Sequence, residues 1–271
     1  MSAKVIDFCR GSLPSSQIPF KPLLAMPFRD RAIIELDSVD STNNYAANLI
    51  KLSSTPDGTV ITAQEQTQGR GQRGTQWMAK KGDNLLFSII VFPQFISPDE
   101  MFLLSQITAL AVHDTVEEIC QTDVAIKWPN DIIVEDKKIC GILIENNWSD
   151  FKVQSSIIGV GLNVNQNHFP YPKATSIKQL VNQYLPTSTV LKVLLLHFDK
   201  WYELLKSGKK TFVRQRYQSY LYRLNQPCEF IYDNEKIKAT IINVETGGLL
   251  VLQNNDKGIF KADLKQIVML Y

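Results

Sequence analysis

Hydrophobic positions along this chain switch between a period of two and a period near 3.6, which predicts strands alternating with helices. The apolar stretch AIIEL (32–36) reads as a strand leading into DSVDSTNNYAANLIKL. There Ser41 is placed to cap a helix whose buried side would be Tyr45, Leu49, Ile50 and Leu52. TVITAQEQ (59–66) is expected to be a strand that runs directly into a glycine-containing loop. NLLFSIIVFP (84–93) is nearly continuous in its apolar character, as expected of a strand covered on both faces. Ser97-Pro98-Asp99-Glu100 offers a cap, a first-turn proline and a capping-box glutamate ahead of the helical stretch 101–119. AIKWPNDIIVEDKKICGILIEN (125–146) and QSSIIGVGLNVN (154–165) read as three strands, the first two joined by a polar turn at Glu135-Asp136-Lys137. Two or three helices are expected within 175–222, with 190–205 the most amphipathic.

The texture changes near Gln226. Five short apolar runs follow, split by Asp-Asn, Thr-Gly-Gly and Asn-Asn-Asp-Lys-Gly turns, and their size and spacing are those of a small SH3-like β-barrel. At the other end, residues 1–31 carry Pro14, Pro19, Pro22 and Pro27 with little periodicity. They are expected to form an extended arm on the domain, too short for a winged helix-turn-helix. The expected division is an N-terminal extension over 1–31, a larger domain of alternating strands and helices over 32–224 and the β-rich unit over 225–271.

The 271 residues are 44% hydrophobic and 21% charged, in the range of water-soluble globular chains. A formal charge of +2 leaves no general footprint for nucleic acid, so any positive potential must be local. The apolar runs are too short to span a bilayer and the N-terminus lacks a signal layout, which makes a cytoplasmic location the expectation, with no membrane partner. Cys9, Cys120, Cys140 and Cys228 show no CxxC spacing and are expected to be reduced rather than paired or metal-bound.

Against this balanced background, QTQGRGQRGTQW (66–77) stands out. Gly69, Gly71 and Gly74 let successive N–H groups converge on an oxyanion, and Arg70 and Arg73 offer planar forks for phosphate or carboxylate. The same residues would also serve a solvated hairpin tip. In KWPND (127–131), Lys127, Asn130 and Asp131 sit at the mouth of an apolar hairpin that Lys138 re-enters. That is either a site at strand ends or a turn with an edge charge. Asp40-Ser41-Thr42-Asn43 can act as a helix cap. Gly159-Val160-Gly161 within a strand implies either close approach of another group or a bulge.

Taken together, DSTN (40–43), EQTQGRGQRG (65–74) with Trp77, KWPND (127–131), KICGILIE (138–145) and GVGLN (159–163) resemble the biotin protein ligases in order and approximate spacing. The likeness covers roughly 33–271. It implies an α+β fold, a mixed β-sheet flanked by helices with a small C-terminal SH3-like barrel. It implies an enzyme that uses ATP and Mg²⁺ to activate biotin as biotinoyl-5′-AMP and passes the acyl group to a lysine of a biotin carboxyl carrier domain. By resemblance, Ser41, Thr42, Asn43 and Gln66 would hold the biotin head group. Gly69, Arg70, Gly71 and Gln72 would line its carboxylate side, with Gly141 in the pocket floor. Arg70, Arg73, Trp77, Asn130, Asp131, Lys138 and Asn163 would face ATP and the adenylate, Lys138 also meeting the biotin carboxylate. Lys138, Arg70 and Asp131 would be catalytic, and no fixed protein metal site is expected, Mg²⁺ arriving with ATP near Asp131.

Many members carry an arginine where this chain has Gln72, which implies easier release of the adenylate. Some bacterial members carry an N-terminal DNA-binding domain; the short segment before residue 32 implies no DNA partner. Both a monomer and a homodimer fit the sequence. The rival readings are a lipoate–protein ligase, with the same adenylation of a different acid, and a non-catalytic binding module.

Overall fold

The computed structural model describes strand Lys4–Ile6, Phe28 and residues 31–271. Apart from that strand (β1), Phe28 and Arg31, the arm expected over 1–31 lies outside the described residues.

An eight-stranded mixed sheet holds β1, β2 (Ile33–Val39), β3 (Val60–Gln66), β4 (Leu85–Val91), β5 (Ala125–Lys127), β6 (Asp131–Val134), β7 (Lys137–Ser149) and β8 (Lys152–Leu162). Its order is β1-β2-β3-β4-β8-β7-β6-β5. Only β2 and β3 run parallel, because helix α1 (Thr42–Leu52) carries the chain back across the sheet between them.

Alternation along the strands sorts side chains to two faces. Leu85, Phe87, Ile89 and Val91 of β4 join a large core with α2 (Phe102–Cys120) and α4 (Thr187–Lys206), while Ile90 joins a smaller core under α1. All seven residues of β4 are buried, as its apolar run predicts. Two shorter helices, α3 (Ile177–Val181) and α5 (Lys210–Ser219), complete the helical layer.

Four local expectations need correction. The region 125–165 forms four strands rather than three, because the chain turns at Trp128-Pro129-Asn130, with a cis Trp128–Pro129 peptide, and pairs Lys127 with Asp131 across the turn. Glu135 and Asp136, both at positive φ, make the tight turn between β6 and β7. In α1 the fully buried residues are Thr42, Asn43 and Ala46; Tyr45, Leu49 and Ile50 pack half-buried against the smaller core as expected, but Leu52, the last residue of the helix, is 85% exposed. Ser41 occupies the N-cap position without a cap hydrogen bond from its side chain; Gln66 Oε1 on β3 takes the first helical N–H, from Thr42, at 2.8 Å. At the start of α2, a 3₁₀ turn (Pro98–Glu100) precedes the helix. Ser97 Oγ donates to Glu100 Oε2 at 2.8 Å instead of capping a backbone N–H.

The C-terminal runs form β9 (Pro227–Tyr232), β10 (Glu235–Val244), β11 (Leu250–Asn254), β12 (Gly258–Ala262) and β13 (Ile267–Leu270). They pair as one antiparallel sheet in the order β12-β11-β10-β9-β13, with β12 and β13 at its two edges. Phe230, Ile241, Leu250, Leu252 and Ile267 of this sheet belong to the same buried cluster as α2 and α4. Among the described residues, Cys120, Cys140 and Cys228 are free, and no helix is long and apolar enough to cross a membrane.

Candidate functional site

A cavity of about 340 Å³ opens where the N-terminal end of α1, the loop after β3, the β5–β6 turn and the C-terminal sheet meet. Its floor is made by absent side chains. Gly141 on β7 pairs with Gly161 on β8, and Gly159 pairs with Leu143. A Cβ on Gly161 would lie 2.5 Å from the Trp77 indole and one on Gly141 would lie 2.9 Å from it, so only glycine lets the ring lie on the strands. The pairing of β8 with β4 stays in register through Gly159–Gly161, which decides for close approach over a bulge.

One wall is a chain of linked polar groups, buried at Thr42, Asn43 and Ser88 and open to solvent at its Glu145–Arg70 end. Gln66 Oε1 accepts from the Thr42 hydroxyl at 3.1 Å as well as from its N–H. Ser88 Oγ lies 2.7 Å from Thr42 Oγ1 and 2.6 Å from Asn43 Oδ1. Asn43 Nδ2 donates to Glu145 Oε2 at 2.7 Å, and the same oxygen accepts from Arg70 NH2 at 2.8 Å. Such linked groups hold one another in place, so the donors and acceptors presented to the cavity are preset rather than mobile.

The arginine loop is folded on itself. Gly71 N donates to Thr75 O at 2.7 Å, Trp77 N donates to Gly69 O at 2.9 Å, and Arg73 takes a left-handed conformation with φ of 55°. Its two arginines diverge: Arg70 reaches Glu145, whereas Arg73 NH2 donates to Ile267 O of β13 at 3.1 Å. The loop therefore ties the eight-stranded sheet to the C-terminal one.

Opposite lies the charged end. Lys138 Nζ is 2.6 Å from Asp131 Oδ1 and 5.5 Å from the centre of the Trp77 ring; Lys127 Nζ is 3.9 Å from Asp131 Oδ2. Burial pulls the Lys127 ammonium below the usual lysine range, and Lys138 and Arg73 push it the same way against the pull of Asp131. One carboxylate thus sits between two ammonium groups, an imbalance that favours an anionic ligand. Asn130 is set by Nδ2 donating to Ile142 O at 2.7 Å.

Of the residues singled out in the sequence, Ser41, Thr42, Asn43, Gln66, Arg70, Gly71, Gln72, Arg73, Trp77, Asn130, Asp131, Lys138 and Gly141 line this cavity. Gly69 and Asn163 do not. Gly69 has no room for a Cβ against Trp77 O, and the buried Asn163 amide donates to Thr175 O at 3.0 Å, bracing the backbone behind Lys138. Ser88 and Glu145 were not assigned a role from sequence, although Ser88 is the lone polar residue within the apolar LLFSIIV run, a signal that could have exposed it. Ile267, Val268 and Met269 carry no such signal and also line the cavity. The described residues with metal-ligand spacing, His113, Asp114 and Glu117, lie on α2 outside this lining, and Asp114 is engaged by Trp201 Nε1 at 2.9 Å.

Residues 35–163 match the model of the biotin/lipoate A/B protein ligase family. The chain is 30% identical over 262 residues to the bifunctional ligase/repressor BirA of Bacillus subtilis, covering 94% of this chain and 79% of that protein. It is 36% identical over 132 residues to a biotin–[acetyl-CoA-carboxylase] ligase of Paracoccus denitrificans, covering 48% and 53% of the two chains. Its fold superposes on the biotin protein ligase of Aquifex aeolicus, solved in complex with biotin and ATP, with a TM-score of 0.73 and 25% identity, over 88% of this chain and 98% of that one. The chain belongs to the biotin protein ligase family.

Proposed function

We infer that this protein is an ATP-dependent ligase that joins biotin to AMP as biotinoyl-5′-AMP, releasing pyrophosphate, and then passes the biotinoyl group to a lysine of a biotin carboxyl carrier domain. The observation that carries the reading is one cavity bringing together a neutral hydrogen-bonding wall at Thr42, Asn43 and Gln66, an arginine loop, and the Lys138–Asp131 pair. A neutral cyclic urea suits the first, and a carboxylate meeting a phosphate suits the other two.

In the first step a biotin carboxylate oxygen attacks the ATP α-phosphorus and the bond to pyrophosphate breaks, the pyrophosphate keeping the electron pair. Two anions must approach, and Arg70 and Lys138 offset their repulsion at fixed positions. Ser41, Gly71 and Gln72 would complete the biotin side, above the floor at Gly141, while Arg73, Trp77 and Asn130 would face the nucleotide. Mg²⁺ would enter as the counter-ion of the phosphates. Asp131, one carboxylate between two ammonium groups, does not make a protein cage for it.

In the second step the carrier amine attacks the biotinoyl carbonyl, the C–O bond to AMP breaks with AMP keeping the electron pair, and Asp131, a carboxylate of the cavity lining, would accept the amine proton. The test mixes protein, MgATP, biotin and a carrier domain and looks for the mass of one biotinoyl group on a single carrier lysine. Lys138→Ala should abolish the product with an unchanged far-UV circular dichroism spectrum. Full activity of that variant would remove its role, and labelling with lipoate but not biotin would transfer the assignment to the lipoate ligases.

A further inference from the structure

Lys127 and Lys173 approach one aromatic ring. Lys127 Nζ lies 4.4 Å from the centroid of the Tyr271 ring and Lys173 Nζ lies 4.9 Å from it, both within the range where the negative face of a ring attracts a cation. The two lysines come from separate places in the chain: Lys127 ends β5, and Lys173 lies on the loop whose backbone accepts the Lys138 N–H at 2.9 Å. Tyr271 follows β13 and packs edge-to-face on Tyr222 at 5.9 Å, and the Tyr222 hydroxyl donates to Asp136 in the β6–β7 turn. The ring is therefore anchored through Tyr222 to the β6–β7 turn.

Lys127 needs such a neighbour. It lines the cavity, its side chain is 15% exposed, and Asp131 stands off at 3.9 Å because that carboxylate is already in closer contact with Lys138. Buried and repelled by Lys138 and Arg73, an ammonium on a flexible stem would otherwise swing to solvent. Burial, and secondarily Asp131, pushes the Tyr271 hydroxyl above its ordinary range, so the ring stays neutral and its face stays available at physiological pH.

We propose that Tyr271 is a positioning residue for adenylation: its ring holds Lys127, with Lys173 alongside, at the phosphate end of the cavity, so that Lys127 meets the ATP polyphosphate. This rests on the ligase reading above. Tyr271 itself does not line the cavity and acts through Lys127.

The test is biotin-dependent ATP–pyrophosphate exchange at saturating biotin, with wild type, Tyr271→Phe, Tyr271→Leu, Lys127→Met and the Tyr271→Leu/Lys127→Met double variant. Tyr271→Leu should raise KM for ATP roughly five- to twentyfold with little change in KM for biotin, a size set by the loss of a partly desolvated cation–π contact. Tyr271→Phe keeps the ring face and should stay within about twofold of wild type. In the Lys127→Met background, Tyr271→Leu should have no further effect on KM for ATP. Equal losses in the Phe and Leu variants, a rise in both Michaelis constants together, or additive effects in the double variant would overturn the proposal while leaving the ligase reading intact. Absence of exchange in the wild type would overturn both.

Discussion

Gly159 is defined by what its missing side chain lets in. A Cβ there would overlap Asn43 Oδ1, and Asn43 cannot yield freely, because its amide donates to Glu145 at 2.7 Å and its carbonyl faces Ser88 at 2.6 Å. Gly159→Ala should therefore push Asn43 off its hydrogen bonds and raise KM for biotin by roughly tenfold, the cost of about one lost polar contact. Changes in kcat and in KM for ATP should be smaller. Steady-state kinetics in each substrate checks this, and an unchanged KM for biotin would show that Asn43 does not carry the head group. The glycine pair was visible in the sequence as an approach point or a bulge; the identity of the approaching group was not. Asn43 and Trp77 are 116 and 82 residues before Gly159, and no local pattern connects them. For the same reason Glu145 went unassigned, since its partners Asn43 and Arg70 lie 102 and 75 residues away.

The start of α2 shows how an element can be legible while its energetics are not. Ser97-Pro98-Asp99-Glu100 marked the boundary because those residues favour a first turn whatever surrounds them. Glu100, however, spends its carboxylate on Lys210 and Arg214 of α5, clamping that helix to the 3₁₀ turn. The hydrogen bond from Lys210, against some desolvation and with help from Ser97 and Arg214, lowers the Glu100 carboxyl to about 2. A depressed carboxyl contributes stability that is present above its unfolded value near 4.5 and is lost as pH falls through about 2. Denaturant midpoints measured across that window should fall with acid in the wild type and change less in Glu100→Gln, which should also be less stable at neutral pH. Parallel pH profiles would mean that the clamp contributes nothing. The split of the expected first strand at Trp128-Pro129-Asn130 has a similar origin. The apolar periodicity is continuous on both sides, and only the turn that pairs Lys127 with Asp131 reveals two strands and brings the site's charges together.

At the scale of the molecule, the alternation of strands and helices and the five short C-terminal strands followed from spacing alone, but not how the two sheets share work. The proposed division between residues 224 and 225 separates two hydrogen-bonded sheets. Even so, Phe230, Ile241 and Leu252 lie in one buried cluster with Leu104, Leu110 and Leu194. Contacts across the join include Trp128 Nε1 to Gly248 O at 2.9 Å, Arg73 to Ile267 O at 3.1 Å, and Phe102 against Gly248, where a Cβ would meet the ring at 2.7 Å. A core shared in this way should melt as one unit, with tryptophan fluorescence and far-UV circular dichroism giving coincident transitions. The cavity proposed for biotin is lined by both sheets, so at about 100 times its dissociation constant biotin should add about 2.7 kcal/mol of stability to the whole. For a chain of this size that corresponds to a rise in Tm of roughly 5–10 °C. Lipoate, lacking the ureido group that the Thr42–Asn43–Gln66 wall is proposed to bind, should give little shift at the same concentration. Two separated transitions, with only the earlier or the later moving on addition of biotin, would mean that the C-terminal sheet folds on its own and does not share the site.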